Sequence, residues 1–251
     1  MADLFWFSDE QWSRIEPLLP TNTRGMPRVD DRRVLSGIVH VLKSGCRWSD
    51  CPREYGPCKT IYNRFVRWAK RGIWEDIFAT LAGAGGIPDT LMIDSTIIKA
   101  HRCSGGAKGG ASVHAIGRSK GGRTTKIHTV TDAQGRPVVM VLTPGNTSDH
   151  KAARLCLEAM PPSKHMIADK GYDSAALREW LEERGTEPVI PPRANRKVQY
   201  AYDKALYRTK NVIERSFGRL KDYRRIATRF DKDVRNFLAA LCIAVTVIWW
   251  I

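Results

Sequence analysis

The stretch Thr90–Ile98, TLMIDSTII, decides the fold because it is a short apolar run that carries one carboxylate, Asp94. Before it, apolar residues recur at helical spacing, and after it they come in short runs of strand length. The Gly/Pro-containing segment Gly83–Asp89 separates the two patterns. We therefore predict a small all-α domain over residues 1–85 and an α/β domain over residues 89–251.

Beyond residue 89 the chain alternates strands with helices. The strands are predicted at Thr90–Ile98, Thr124–Asp132, Pro137–Thr143, Lys164–Ala168 and Glu187–Pro191, and the first helices at about Asp149–Met160 and Ser174–Arg184. This order predicts a five-stranded mixed sheet with helices on both faces. If the first and fourth strands are adjacent and parallel, Asp94 and Asp169 point into one crevice at the ends of these strands.

The segment Leu206–Arg225, LYRTKNVIERSFGRLKDYRR, is predicted to form one helix with two stripes. The core-facing stripe contains Ile213, Phe217 and Leu220, and the other contains Lys210, Glu214, Gly218 and Lys221. Considered alone, Glu214 is most simply an exposed acid in an ion-paired helix face. Together with Asp94 and Asp169 it supplies the three carboxylates that a magnesium-dependent phosphodiester enzyme needs.

The residues before the linker read as four short helices that form a bundle. The third, from about Lys59 to Lys70, carries a concentration of cations at Arg64, Arg67, Lys70 and Arg71. These residues are equally compatible with a DNA-reading element of helix-turn-helix type and with the polar outer face of a bundle. We predict that residues 1–85 form a DNA-binding domain.

The charge balance also points to a polyanion as partner. The chain has 41 Lys and Arg against 26 Asp and Glu, a net charge of +15, which favours nucleic acid over a membrane surface. Its six cysteines include no CxxC pair, so we predict reduced thiols in a cytoplasmic protein rather than a zinc site or disulfides. The uncharged stretch Phe237–Ile251 is shorter than the about 20 residues of a membrane span, so we predict a buried terminal helix.

Several motifs together carry a family resemblance. The first Asp stands in Met92-Ile93-Asp94-Ser95-Thr96, the second opens the D-x-G-Y run Asp169–Tyr172, and Tyr207, Lys210, Glu214 and Lys221 follow a Y-x2-R-x3-E-x6-K pattern. With the runs Phe7–Trp12, Tyr55–Pro57 and Ile61–Phe65, they resemble the DDE transposases of bacterial insertion sequences, in particular the insertion-sequence-five family of the IS4/IS5-like superfamily. One departure is visible, because the Arg of the family pattern is Lys210 here. Lys keeps the charge but lacks the bidentate phosphate fork of Arg.

The resemblance implies a ribonuclease-H-like fold and a transposase that cuts insertion-sequence ends and joins the 3′-hydroxyl ends to target DNA. Two Mg²⁺ ions, for which Mn²⁺ substitutes, would be held by the catalytic residues Asp94, Asp169 and Glu214. The implied DNA contacts are Lys210, Lys221, Tyr207, Lys170, Tyr172, Arg215 and Arg219. For Tyr172, packing under Asp169 is favoured over stacking on a base. The implied partners are double-stranded DNA, as terminal inverted repeats and target, and further copies of the chain in a homodimer or larger assembly. We expect a cytoplasmic, nucleoid-associated bacterial protein.

Three rival hypotheses remain at this point. A ribonuclease-H-like nuclease would cut DNA without joining it. A non-catalytic DNA-binding protein would use only the basic surface. A membrane-attached protein would use the apolar C-terminal stretch as an anchor.

Overall fold

The computed structural model describes residues 3–21 and 28–251. They form two compact units. The helical unit contains the chain up to Leu81 together with His101–Ala107 and Leu220–Ile251. The α/β unit contains Ala82–Ala100 and Lys108–Arg219.

The regular elements follow the predicted order closely. The helices are α1 Asp9–Ile15, α2 Asp31–Ser44, α3 Cys58–Lys70, α4 Ile73–Gly83, α5 Asp149–Glu158, α6 Ala175–Glu183, α7 Lys204–Tyr207, α8 Asn211–Lys221, α9 Arg224–Ala227 and α10 Val234–Val245. The strands are β1 Thr90–Ala100, β2 Gly117–Ser119, β3 Gly122–Thr131, β4 Pro137–Pro144, β5 His165–Ile167, β6 Glu187–Val189 and β7 Thr228–Arg229.

The single helix predicted over Leu206–Arg225 is wrong in its extent. A 3₁₀ turn, Arg208–Lys210, joins α7 to α8, and α8 ends at Lys221. The chain leaves helical geometry at Tyr223, whose backbone is extended and whose side chain is buried. The tighter 3₁₀ turn changes the helical register locally, yet Lys210 still lies one turn before Glu214.

Local hydrogen bonds explain where the first helices begin and end. Ser8 and Gln11 form both bonds of a capping box at the start of α1. Asp30 accepts a hydrogen bond from the amide of Arg33 at the start of α2. Gly45 ends α2 with a φ of 79°, a left-handed conformation that glycine adopts without steric cost.

The C-terminal helix α10 belongs to the core of the helical unit. It packs against α2 and α3, and Ile38, Phe65 and Phe237 are completely buried. The terminal apolar stretch is therefore a buried helix, as predicted. The predicted domain of residues 89–251 includes α10. In the structure α10 instead packs with the N-terminal helices, because it covers their apolar faces. Over the described ranges, no helix has the length and apolar character that crossing a membrane requires.

The sheet of the α/β unit combines antiparallel and parallel strands. β4 pairs with β3 and β3 with β1 in antiparallel fashion, whereas β5 lies parallel to both β1 and β6. The predicted parallel pairing of the first and fourth strands is thus confirmed, and the short β2 pairs with the beginning of β3 as an addition. The strand order β4-β3-β1-β5-β6 is that of the ribonuclease-H-like fold, as predicted.

The alternation of β1 assigns its side chains to two different faces. Leu91 and Ile93 join the core on the face covered by α5 and α6. Met92 packs on the other face with residues of α8. Asp94 therefore faces α8, whereas Ser95 faces α5.

The buried His128 of β3 makes folding sensitive to pH. Its Nε2 atom is 2.8 Å from Thr143 Oγ1, and burial lowers the pKa of His128 from 6.5 to about 4. The unfolded chain then binds a proton that the folded chain does not, so stability is retained above about pH 6.5 and falls as the pH drops toward about 4. Chemical denaturation at about pH 7 and pH 5 should show that His128→Gln loses roughly 2 kcal/mol less than the wild type. Equal losses in the two proteins would contradict this.

Candidate active site

Asp94 lies in the middle of β1 with its side chain only 17% exposed. Its Oδ1 atom accepts a hydrogen bond of 2.7 Å from the amide of Ser95. Its Oδ2 atom lies 2.7 Å from Lys210 Nζ. Burial raises the pKa of Asp94, and the lowering effect of Lys210 does not fully offset it. The carboxylate is therefore held on two sides in a partly dehydrated position.

Glu214 reaches the same lysine from α8. Ile213 and Phe217 bury the apolar side of α8 against Met92 and its neighbours, which leaves Glu214 64% exposed on the other side. Lys210 Nζ is 3.3 Å from Glu214 Oε1, and the Lys210 side chain is only 8% exposed. One ammonium group therefore bridges an acid from the sheet and an acid from a helix.

The bridging also determines the charge state of Lys210. Burial by itself lowers the pKa of Lys210, but the hydrogen bond to Asp94 and the charges of Asp94 and Glu214 raise it overall. Lys210 is accordingly a cation at neutral pH. The two acids share its charge.

Asp169 approaches this pair from the end of β5. It caps the turn Lys170–Tyr172, where its Oδ1 accepts a hydrogen bond of 2.8 Å from the amide of Gly171. The charge of Asp169 raises the pKa of Asp94. The charges of Asp169 and Glu214 also raise the pKa of Tyr207. The structure thus joins Asp94 and Glu214 through Lys210, and the charge of Asp169 acts on Asp94.

The donor set suits a hard divalent cation, since Mg²⁺ is bound through carboxylate oxygens. Within residues 3–21 and 28–251, however, no three His, Cys, Asp or Glu side chains are close enough together to hold a metal ion. The ammonium of Lys210 instead contacts both Asp94 and Glu214. The acids therefore fit the ion by chemistry, with Lys210 in competition for them.

A buried ion-pair network holds the turn that carries Asp169, and sequence reasoning missed it. Arg178 is 2% exposed and donates to Asp173 at 2.9 Å. Arg193 donates through its amide to Asp173 and through its side chain to the carbonyl oxygens of Lys170 and Gly171. The signal available in the sequence was an Asp directly after the D-x-G-Y run, with an Arg on the next helix.

Residues 85–249 match a family model described as "Transposase DDE domain". The chain belongs to the DDE transposase family. Residues 7–78 also match a model of the transposases of the IS4/5 family, which agrees with the predicted insertion-sequence resemblance.

Individual relatives of this transposase come from bacterial insertion sequences. The protein named as transposase of element IS6501 in Brucella ovis is 35% identical over 127 residues, covering 50% of this chain and 98% of that protein. The one named for element IS402 in Burkholderia cepacia is 33% identical over 137 residues, covering 50% of this chain and 63% of its own. Among solved structures, the Mos1 transposase paired-end complex with the left transposon end covers 81% of this chain and 82% of its own, at 11% identity and a TM-score of 0.27.

Two of the predicted DNA contacts of the transposase are buried. Tyr172 is 1% exposed and packs in the core under α5 and α6, which favours packing over stacking on a base. Lys210 is buried and bonded to Asp94 and Glu214, which removes it from the accessible surface. Tyr207 is half-buried, with its ring edge against Tyr202. The remaining predicted contacts are exposed: Lys170, Arg215, Arg219 and Lys221.

Gly218 leaves a gap on the exposed side of α8, one turn beyond Glu214. A Cβ atom placed there would meet no described atom within 4 Å, so crowding by another helix does not explain the glycine. A glycine inside a helix costs about 1 kcal/mol relative to alanine. We infer that the missing side chain gives clearance to a DNA strand.

Two substitutions test the clearance at Gly218. Gly218→Ala should raise the free energy of unfolding by roughly 1 kcal/mol. Gly218→Leu should retain the melting temperature, because the space is open, but should block strand cleavage. Glu179→Leu, at an exposed position of α6 on the opposite face of the sheet, is the control and should cleave normally. A Gly218→Leu protein that cleaves as fast as the control would refute the clearance role.

Proposed function

We propose that this transposase cuts DNA at the ends of an insertion sequence and joins the freed 3′-hydroxyl to target DNA. The observation that carries the proposal is the convergence of Asp94 and Glu214 on one lysine, with the charge of Asp169 acting on Asp94, in a chain of the DDE family. Water would attack the phosphodiester at the element end, and the released 3′-hydroxyl would then attack the target phosphodiester in the same site.

The three acids would hold divalent cations, Mg²⁺ or Mn²⁺, which activate the attacking oxygen and stabilise the leaving one when bound. The chain prepares two of the acids for this. The amide of Ser95 fixes Asp94, and the amide of Gly171 fixes Asp169. Ligands whose orientation is fixed before binding lose less conformational freedom when they bind.

The exposed cations around α8 would bind the DNA backbone. Arg215, Arg219 and Lys221 are exposed on the helix that carries Glu214, and Lys170 is exposed next to Asp169. Contacts of this kind are independent of DNA sequence and weaken steeply as salt is added. They would bring the scissile phosphate to the acids without selecting the element end.

Selection of the element end would fall to the helical unit, through α3. The exposed side of this helix presents Lys59, Asn63, Arg67 and Lys70 at helical spacing. Arg64, which the sequence grouped with these cations, is instead buried and paired with Asp31. The tight turn at Gly72 joins α3 to α4. In a helix-turn-helix built on this turn, α3 would be the first helix and not the second helix, which reads the DNA. We therefore propose that α3 reads DNA as an exposed helix of a bundle.

The proposed partners are double-stranded DNA, as element ends and target, and further copies of the chain in a dimer or larger assembly. The proposed location is the bacterial cytoplasm, at the nucleoid. A nuclease of the same fold that cuts without joining is the alternative, and products distinguish the two.

The test is to incubate the full chain with a labelled fragment carrying candidate ends, a target plasmid and Mg²⁺, and to map the products on a sequencing gel. We expect cuts at the element end and molecules joined to the plasmid. Cutting without joined products would favour the nuclease, and no cutting at any end would refute the proposal.

Substitution of the acids assigns the chemistry to them. Asp94→Asn, Asp169→Asn and Glu214→Gln should each reduce cleavage by more than the about 10–100-fold that loss of an outer-shell partner costs. DNA affinity measured in EDTA should stay near wild type, because the amides keep the shape. Asp89→Asn is the control, since Asp89 is exposed and pairs only with the surface Lys164 in the described contacts. If one of the three variants cleaves as fast as this control, the residue substituted in it is not an essential metal ligand.

A further inference from the structure

A polar cluster around one carboxylate, Asp149, lies on the face of the sheet opposite Asp94. Asp149 is the first residue of α5, and its Oδ1 atom accepts hydrogen bonds from Ser95 Oγ at 2.6 Å and from Lys126 Nζ at 3.1 Å. Lys126 is buried and also donates to the carbonyl oxygen of Thr147. The cluster therefore joins the start of α5 to β1 and β3.

Ser95 connects this cluster directly to Asp94. Its hydroxyl donates to Asp149 on one face of the sheet, and its amide donates to Asp94 Oδ1 at 2.7 Å. β5 pairs with β1 only over Thr90–Met92, so Ser95 lies beyond the support of that strand. The hydrogen bond to Asp149 supplies a tether at this position.

Tyr172 connects the cluster to the segment of Asp169. Its ring is buried under α5, in the turn that Asp169 caps. Burial together with the charges of Asp149 and Asp94 raises the pKa of Tyr172, whose hydroxyl is buried and makes no hydrogen bond within the described residues. The tyrosine thus stays protonated.

We propose that Asp149 is a positioning residue for the DNA-cutting chemistry, which fixes Asp94 through Ser95 from the opposite face of the sheet. This proposal rests on the proposed function for its catalytic consequence. A purely structural alternative exists, because a carboxylate at the start of a helix stabilises the helix by itself. The two roles differ in what they change, since a structural role alters the melting temperature and a positioning role alters cation binding and turnover.

Ser95→Ala is the main test variant, because it removes one hydroxyl and leaves the amide that contacts Asp94. Electron paramagnetic resonance can follow Mn²⁺ binding to the full chain without DNA, and we expect the affinity to weaken by about tenfold. The turnover number for cleavage should fall about 10–100-fold, which is the usual cost of losing a hydrogen-bond partner of a metal ligand. DNA affinity in EDTA and the melting temperature should stay near wild type. Asp149→Ala should weaken Mn²⁺ binding and turnover in the same direction.

Matched controls identify the cause. Ser95→Thr keeps the hydroxyl and should restore both Mn²⁺ affinity and turnover. Arg154→Ala, which removes an exposed ion pair on α5, should change neither. If Ser95→Ala or Asp149→Ala changes only the melting temperature, the role is structural and the proposal is overturned.

The Mn²⁺ measurement separates this proposal from the proposed function. If the wild type binds Mn²⁺ through Asp94 but cuts no DNA, the function fails while the positioning role is still judged by the affinity of Ser95→Ala. If the wild type shows no Mn²⁺ binding that Asp94→Asn abolishes, the positioning role is overturned as well.

Discussion

The shared contact of Lys210 with Asp94 and Glu214 is the interaction on which the candidate site depends. A carboxylate as enclosed as Asp94 needs a compensating charge, because an unpaired buried charge is strongly destabilising. Lys210 provides that charge only if the segment leading into α8 is held over β1. Ile213 and Phe217 do this by packing on Met92 and the neighbouring strands. The apolar side of one helix thus sets the position of the polar contact.

The sheet order explains how the third acid reaches the same place. The parallel pairing of β1 and β5 sets Met92 beside Ile167, and Asp94 and Asp169 each lie two residues further along the chain. A buried hydrogen bond from Arg178 and an exposed one from Arg193 then hold the turn after it. Asp149 adds support from the other face of the sheet through Ser95. The acids therefore stand on rigid elements, which is the arrangement that precise ligand geometry requires.

Much of this was predictable from local patterns. The change from helical to strand periodicity near residue 89 predicted the two kinds of structure. The start of α1 at the Ser8 capping box and the end of α2 at Gly45 were also predictable, because a helix end depends on a few adjacent residues. These features share one property, which is that the signal lies within one element.

Features that depend on contacts between distant residues were not predictable in this way. No local pattern shows that α10 completes the core of the N-terminal helices, or that Tyr172 is buried rather than exposed. The partners Ser95 and Asp149 lie in different elements, so neither predicts the other. Lys210 was assigned to DNA by its place in the motif, whereas its actual partners are the two acids. Tertiary packing determines which polar residues of different elements pair, and sequence periodicity carries no information about these pairs.

Lys210 would compete with a divalent cation for the carboxylates of Asp94 and Glu214, and cation binding to Lys210→Met tests this competition most directly. Titration of the full chain with Mn²⁺ should show at least about tenfold tighter binding than wild type, because a nearby positive charge has been removed. Without the cation the variant should lose roughly 3–5 kcal/mol of stability, since Asp94 remains buried without its partner. Lys221→Met, which removes an exposed charge from the same helix, should bind Mn²⁺ like the wild type. Unchanged or weaker Mn²⁺ binding by Lys210→Met would contradict the account.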